Sequence, residues 1–171
     1  MKKTITILFA LSCCFIFQGC GIYSFNGISI DPEIKTFQVN FFRNEAPIVE
    51  PGIDRTFTLA LQDLIQNQTN LSLVSNNGEL LFEGEITEYY IAPQASTSQN
   101  TAAQNRLTIS VNVRYYNNKK TDGEDDFEKR FSFFSDVPAT TQLIGGPLDT
   151  ALEEIFERIT QDIINESLAK W

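Results

Sequence analysis

Histidine is absent from the 171 residues, which removes most of the side-chain chemistry an enzyme draws on. Neither a Ser-His-Asp relay nor a Cys-His pair can be built, and no metal can be held by imidazole. Two groupings of carboxylates remain. Glu83 and Glu85 stand two apart in a stretch with strand periodicity, which puts both on one face about 7 Å from each other. That separation suits the acid and base of a periplasmic glycoside hydrolase. It also arises on any strand whose outer face is simply charged, and that reading is preferred because nothing nearby suggests a substrate cleft. Asp122-Gly123-Glu124-Asp125-Asp126 lacks the alternating ligands and distal Glu of a calcium loop and reads as a solvated hairpin tip. The third grouping is basic. Arg106 and Arg114 project from one face of one strand, Lys119 and Lys120 follow at its end, and Arg130 returns on the next strand. Guanidinium suits phosphate, and Thr108, Ser110 and Asn112 could add hydrogen bonds to phosphate or sugar. The blander account is a solvated face cross-paired with Glu128 and the tip acids.

The sharpest chemical signal lies at the front. Lys2 and Lys3 precede an uncharged run over residues 5–17, which Gly19 and Cys20 follow. The run is shorter than the roughly 20 apolar residues a membrane-spanning helix needs and has the layout of an export signal. Of three cysteines, Cys13 and Cys14 lie inside the run and would leave with it. Cys20 then remains alone, which is odd for an exported chain unless lipid consumes the thiol. Phe17-Gln18-Gly19-Cys20 is similar to a bacterial lipobox, although Phe17 and Gln18 depart from its commonest form. The similarity implies a diacylglyceryl thioether and an acylated amine on Cys20, and Gly21 after it implies sorting to the outer membrane. More than one acyl chain anchors a protein stably. No cofactor is expected beyond this covalent lipid.

Residues 1–19 are thus read as a signal peptide, 20–33 as a lipidated tether and 34–171 as one domain, a size usual for a single core. Losing Lys2 and Lys3 but no acid moves the net charge from −9 to −11, which argues against nucleic acid as a partner.

The periodicities name the elements that must position these groups. Residues 34–42 alternate, with Phe37, Val39 and Phe41 inward. Ile53, Phe57, Leu61, Leu64 and Ile65 recur at helical spacing up to Gln68. Residues 71–74 form a short strand, Asn76-Asn77-Gly78 supplies a turn, and Leu80, Phe82, Gly84 and Ile86 line a longer strand. Residues 93–104 read as a loop. Leu107, Ile109, Val111, Val113 and Tyr115 give the clearest alternation, and a polar tip over residues 118–126 leads to a return strand through Phe127, Phe131 and Phe133. Leu148, Leu152, Ile155, Phe156, Ile159 and Ile163 stripe a last helix, with Asp149, Glu153 and Glu154 favoured in its first turns by the helix dipole. Strands grouped between two single-striped helices imply an α+β fold: a mostly antiparallel four- to five-stranded sheet with both helices on one face. Phe42, Tyr89, Tyr116 and Phe134 fall on nominally outward faces. Either they meet a partner, or the strand phase slips.

Several of these stretches carry a family resemblance. Cys20-Gly21-Ile22-Tyr23-Ser24-Phe25-Asn26-Gly27, the Gln68-Thr69-Asn70-Leu71 step, Asn105-Arg106-Leu107-Thr108-Ile109 and the ending from Ile164-Asn165 to Lys170-Trp171 resemble the LptE family of lipopolysaccharide-assembly lipoproteins, in the version of Bacteroidetes-type bacteria. The resemblance spans essentially the whole exported chain. It implies a two-layer α+β, non-enzymatic lipoprotein that sits in the lumen of an LptD-type outer-membrane β-barrel, helps it assemble and assists lipopolysaccharide delivery. Under that implication, Arg106, Arg114, Lys119, Lys120 and Arg130 become candidate lipopolysaccharide contacts. The alternative is a free-standing lipoprotein that binds a lipid or glycan.

Overall fold

The computed structural model describes residues 30–48, 50–94, 103–120 and 122–169. The expected signal peptide, most of the expected tether and Cys20 lie outside them. In chain order the elements are β1 (Thr36–Val39), β2 (Arg43–Asn44), α1 (Ile53–Gln68), β3 (Ser72–Leu73), β4 (Leu80–Gln94), β5 (Gln104–Asn117), β6 (Phe127–Pro138) and α2 (Gly146–Leu168). One sheet contains every strand, in the order β3-β1-β4-β5-β6, with β2 pairing β4 beyond the end of β1.

The α+β class is as expected, but the sheet is mixed and, among the described residues, has six strands. β4, β5 and β6 are antiparallel, whereas β1 runs parallel to both β3 and β4, and β2 runs parallel to β4. Alternation records which face a side chain takes and is silent on which way the neighbouring strand runs. The Asn76-Asn77-Gly78 turn accordingly closes no hairpin. Asn77 does take a positive φ of 55°, and the chain crosses the outer face of β1 to reach its far side. Gly78 passes so close that a Cβ there would lie 2.6 Å from the backbone nitrogen and Cβ of Gln38. Only glycine permits that approach. The crossing is fastened by Gly78 N–H donating to Gln38 Oε1 and Glu79 N–H donating to Thr36 Oγ1, both at 3.2 Å.

Both helices cover one face of the sheet, and the core lies between. Leu107, Ile109, Val111, Val113 and Tyr115, every second residue of β5, are buried with Ile155, Phe156, Ile159 and Ile163 of α2 and Ile53, Phe57, Leu61 and Ile65 of α1. Phe57 bridges the two layers, with ring centroids 5.1 Å from Phe42 and 5.2 Å from Phe156 in edge-to-face packing. Each such side chain contributes roughly 1.5–3 kcal/mol on burial.

Three aromatic positions depart from the periodicity. The chain leaves the pleat after Val39, so Phe42, expected outside, is fully buried with its N–H donating to Thr58 Oγ1 at 3.1 Å, while Phe41, expected inside, is 54% exposed. In β4 the register shifts between Ile86 and Glu88. This bulge inserts one residue and flips the parity that follows, which turns Tyr89 inward to 5% exposure. Tyr116 and Phe134 do face outward. The expected loop over 93–104 is shorter than its sequence suggested, since Pro93 and Gln94 still pair with Asn105 and Gln104; residues 95–102 lie outside the described residues.

Candidate functional site

The sheet face opposite the helices carries the candidate arginines. Arg106 and Arg114 are both outward on β5, but eight residues of strand separate them by about 26 Å. Arg130 faces Asn112 in the β5–β6 register and is a diagonal neighbour of Arg114. Lys119 and Lys120 sit beyond the end of β5. The five cations are therefore brought together only in part: a central pair, one arginine at the far end, and two lysines at the hairpin end.

Each already holds a carboxylate. Arg114 donates to Glu85 from Nη2 at 2.9 Å and from Nη1 at 3.2 Å, lies 3.5 Å from Glu83, and approaches Glu128 at 3.8 Å. Arg130 donates from Nη2 to Glu88 and to Ser110 Oγ, and Ser110 also donates to Glu88. Arg106 forms a two-pronged pair with Asp136, with both bonds at 2.7 Å, and its guanidinium stacks 3.6 Å over the Phe134 ring. Lys120 meets Asp125 at 2.8 Å. Lys119 meets Glu79 at 3.0 Å, and Glu79 also accepts the backbone N–H groups of Lys35 and Thr36, tying the start of β1 to the β5 hairpin.

The protonation behaviour follows from these contacts. Glu79 is pulled down to about 2, first by the Lys35 N–H and then by Lys119. The Arg114 hydrogen bonds hold Glu85 below the usual carboxylate range, and Arg106 does the same for Asp136. A glycosidase's general acid needs its pKa raised, so Glu85 is shifted the wrong way for that role. Among the described residues no cluster of potential ligands could hold a metal ion. The tip acids serve the hairpin instead, with Asp126 accepting the Asn117 N–H at 2.9 Å.

A second feature lies on the other side of the molecule. α1 and α2 leave between them a solvent-facing groove of about 550 Å³, with Ala60, Leu64, Leu152 and Phe156 in its floor and Asp63, Asp149, Glu153 and Glu157 on its rim. None of the four acids makes an ion pair or side-chain hydrogen bond among the described residues, and no Lys or Arg lines the groove. Asp149, Glu153 and Glu157 stand at i, i+4 and i+8. That spacing puts like charges on neighbouring turns, at a cost of roughly 0.2–0.5 kcal/mol per pair. The signal was visible in the sequence as an acidic stripe beside Leu152 and Phe156; attention to the helix dipole accounts for Asp149 and leaves Glu157, three turns in, unexplained.

Residues 34–167, the whole of this two-layer domain but its last few positions, match the model of one protein family, described as LptE, lipopolysaccharide-assembly. The chain belongs to the LptE family. No curated protein matches it. Among solved structures, a hypothetical protein of Chlamydia trachomatis is similar at 9% identity and TM-score 0.58, covering 80% of this chain and 99% of that one. A protein of Xanthomonas campestris is similar at 10% identity and TM-score 0.54, covering 82% and 90%. At such identities these likenesses speak for the fold alone. No described helix of this LptE-family chain is long and apolar enough to cross a membrane.

Proposed function

We propose that the chain is an outer-membrane lipoprotein held by lipid on Cys20. In this reading it acts without catalysis as plug and assembly subunit of an LptD-type β-barrel, and assists lipopolysaccharide delivery to the outer leaflet. The observation that carries this reading is the LptE family match across residues 34–167. The isolated Cys20 behind an uncharged run supports the anchor, since two or more acyl chains hold a protein on a membrane without a spanning helix.

The proposed lipopolysaccharide contacts remain Arg106, Arg114, Lys119, Lys120 and Arg130. Because each is already ion-paired, phosphate has to replace a carboxylate rather than fill an empty site. Arg106 is the cleanest probe, because it holds a single carboxylate beside the exposed rings of Phe134 and Tyr90. Arg106→Glu is expected to weaken lipopolysaccharide binding, and binding should fall with salt, since exposed charges are screened within about 10 Å at 0.1 M. Parent-level binding by that variant across the salt range would remove Arg106 from the contact set.

Gentle detergent extraction of native membranes tests the function itself. A plug leaves with a large β-barrel attached, whereas a free-standing lipoprotein leaves alone. Cys20→Ala should yield an uncleaved or soluble periplasmic species; a Cys20→Ala protein of normal size that fractionates wholly with the outer membrane without a partner would contradict the anchor.

A further inference from the structure

We infer that the α1–α2 groove is a docking site for a basic segment of the barrel partner, one that sets an aliphatic or aromatic anchor between Lys or Arg residues. The inference rests on the barrel partnership proposed above and assigns it a surface. The groove is lined by α1 from Thr56 to Asn67 and by α2 from Asp149 to Thr160, twelve residues of each and a length of about 16 Å, and just beyond its last lining residues Gln68 donates to Gln161 at 2.7 Å.

Its floor explains the anchor. Leu152 and Phe156 are buried from below, while Ala60 and Leu64 are only half covered. Leu59, one turn before the rim residue Asp63, is 45% exposed and extends the apolar strip outward. The rim explains the charge of the occupant. Asp149, Glu153 and Glu157 rise one turn apart, about 6 Å each. Cations at alternate positions of an extended segment, or at every fourth position of a helix, match that step. Two other acids of α2 find partners from the sheet: Glu154 accepts from Ser135, and Glu166 pairs with Lys129 at 2.7 Å. Arg158, the one base of α2, is turned to the Phe133 ring on the sheet side. The four carboxylates of the groove have no counterion among the described residues, although the like-charge spacing of Asp149, Glu153 and Glu157 weakens the helix that carries them. An anionic lipid surface is repelled by such a rim, and a neutral apolar ligand gives it no role, so a cationic peptide segment is the occupant that satisfies floor and rim together.

The test uses the full-length tagged chain in its native membranes, with the barrel recovered by gentle extraction as the readout. Glu153→Lys with Glu157→Lys should lower that recovery by about tenfold or more, and Glu153→Gln with Glu157→Gln should lower it less. The Gln variant should melt at or above the parent temperature, because like-charge repulsion is relieved, and the Lys variant close to it, because the new repulsion between positions 153 and 157 is offset by attraction between position 153 and Asp149. Glu45→Lys with Glu124→Lys makes the same change of net charge at exposed acids remote from the groove and should recover as much barrel as the parent. Parent-level recovery by the Lys variant overturns the inference, as does an equal loss in the Glu45/Glu124 control. Melting of both groove variants well below the parent also overturns it, since the rim would then be structural. A parent chain that brings no barrel at all overturns the partnership itself, a result distinct from a barrel that ignores the groove.

Discussion

On the outer face of the sheet Arg106, Arg114 and Arg130 each meet a carboxylate, whereas between the helices Asp63, Asp149, Glu153 and Glu157 meet no cation among the described residues. The sheet face has its β5 and β6 arginines already answered. Its charges are cross-strand neighbours, and partly exposed pairs of this kind contribute modestly and hold register more than they add stability. The groove is incomplete, and its charges slightly oppose the fold that displays them. Charge alone therefore says little about where a partner binds; what separates the two regions is whether the charges are already answered.

The largest expected effect comes from removing one region outright. A chain ending at Gly145 loses α2 and with it Ile155, Phe156, Ile159, Ile163 and Ile164, all essentially buried. At roughly 1.5–3 kcal/mol each, that burial is comparable to the about 5–15 kcal/mol stability of a whole domain. Thermal melting should show no cooperative transition, and a sharp transition near the parent temperature would mean that the sheet stands without its helical layer.

Gly84→Ala strikes the sheet next. A Cβ there would lie 2.0 Å from the Asn112 carbonyl oxygen and 2.7 Å from the Phe42 ring, so β4 and β5 must part. A loss of about 3 kcal/mol by denaturant unfolding is expected, at the top of the overpacking range; a loss below about 1 kcal/mol would contradict the close approach.

Arg114→Ala tests whether the outer face depends on its pairing. It leaves Glu83, Glu85 and Glu128 without their shared cation, and about 1–2 kcal/mol should be lost at neutral pH. Glu85 has a lowered pKa when folded, so its contribution is present above the ordinary value of 4.5 and disappears as pH falls below it. The gap between parent and variant should therefore narrow in acid. A gap independent of pH would assign the loss to packing of the arginine stem.

Glu79→Gln gives a smaller effect with the same sign. Glu79 falls from 4.5 to about 2 on folding, so its stabilisation is complete above pH 4.5 and is lost as pH drops through about 2. Melting temperatures of parent and variant should differ at pH 6 and converge toward pH 2; curves that stay parallel would show that the Lys35 and Thr36 N–H bonds carry no charge dependence.

Much of this was legible from residue order, for physical reasons that also mark where reading stops. β5 is paired on both sides and covered on one, so its inward residues are apolar and its outward ones polar without exception from Leu107 to Tyr115. The two helices show their stripes for the same reason. The bulge after Ile86 and the break after Val39 were not legible, because both arise from pairing with distant partners: Thr87 Oγ1 donates to the Ser110 carbonyl at 3.3 Å, and Phe42 N–H is held by Thr58. The parallel pairing of β1 was hidden because a four-residue strand carries no mark of its neighbours' direction. For the candidate site, the outward placement of Arg106, Arg114 and Arg130 followed from alternation, while their separate carboxylates did not. Asp136 lies thirty residues from Arg106, and only register brings them opposite. The groove was present in the sequence as Asp149, Glu153 and Glu157, and what could not be read was that no base from α1 or the sheet answers them.

The contrast between the two regions is tested most directly by neutralising acids in each and comparing melting temperatures at pH 7. Glu85→Gln should lower the melting temperature by about 2–4 °C, the shift expected for a loss near 1 kcal/mol in a domain of this size. Glu153→Gln with Glu157→Gln should leave it unchanged or raise it by about 1–2 °C, since each like-charge pair removed returns a few tenths of a kcal/mol. A groove variant that melts as far below the parent as Glu85→Gln would show that the rim acids are already answered within the chain, and would contradict the account.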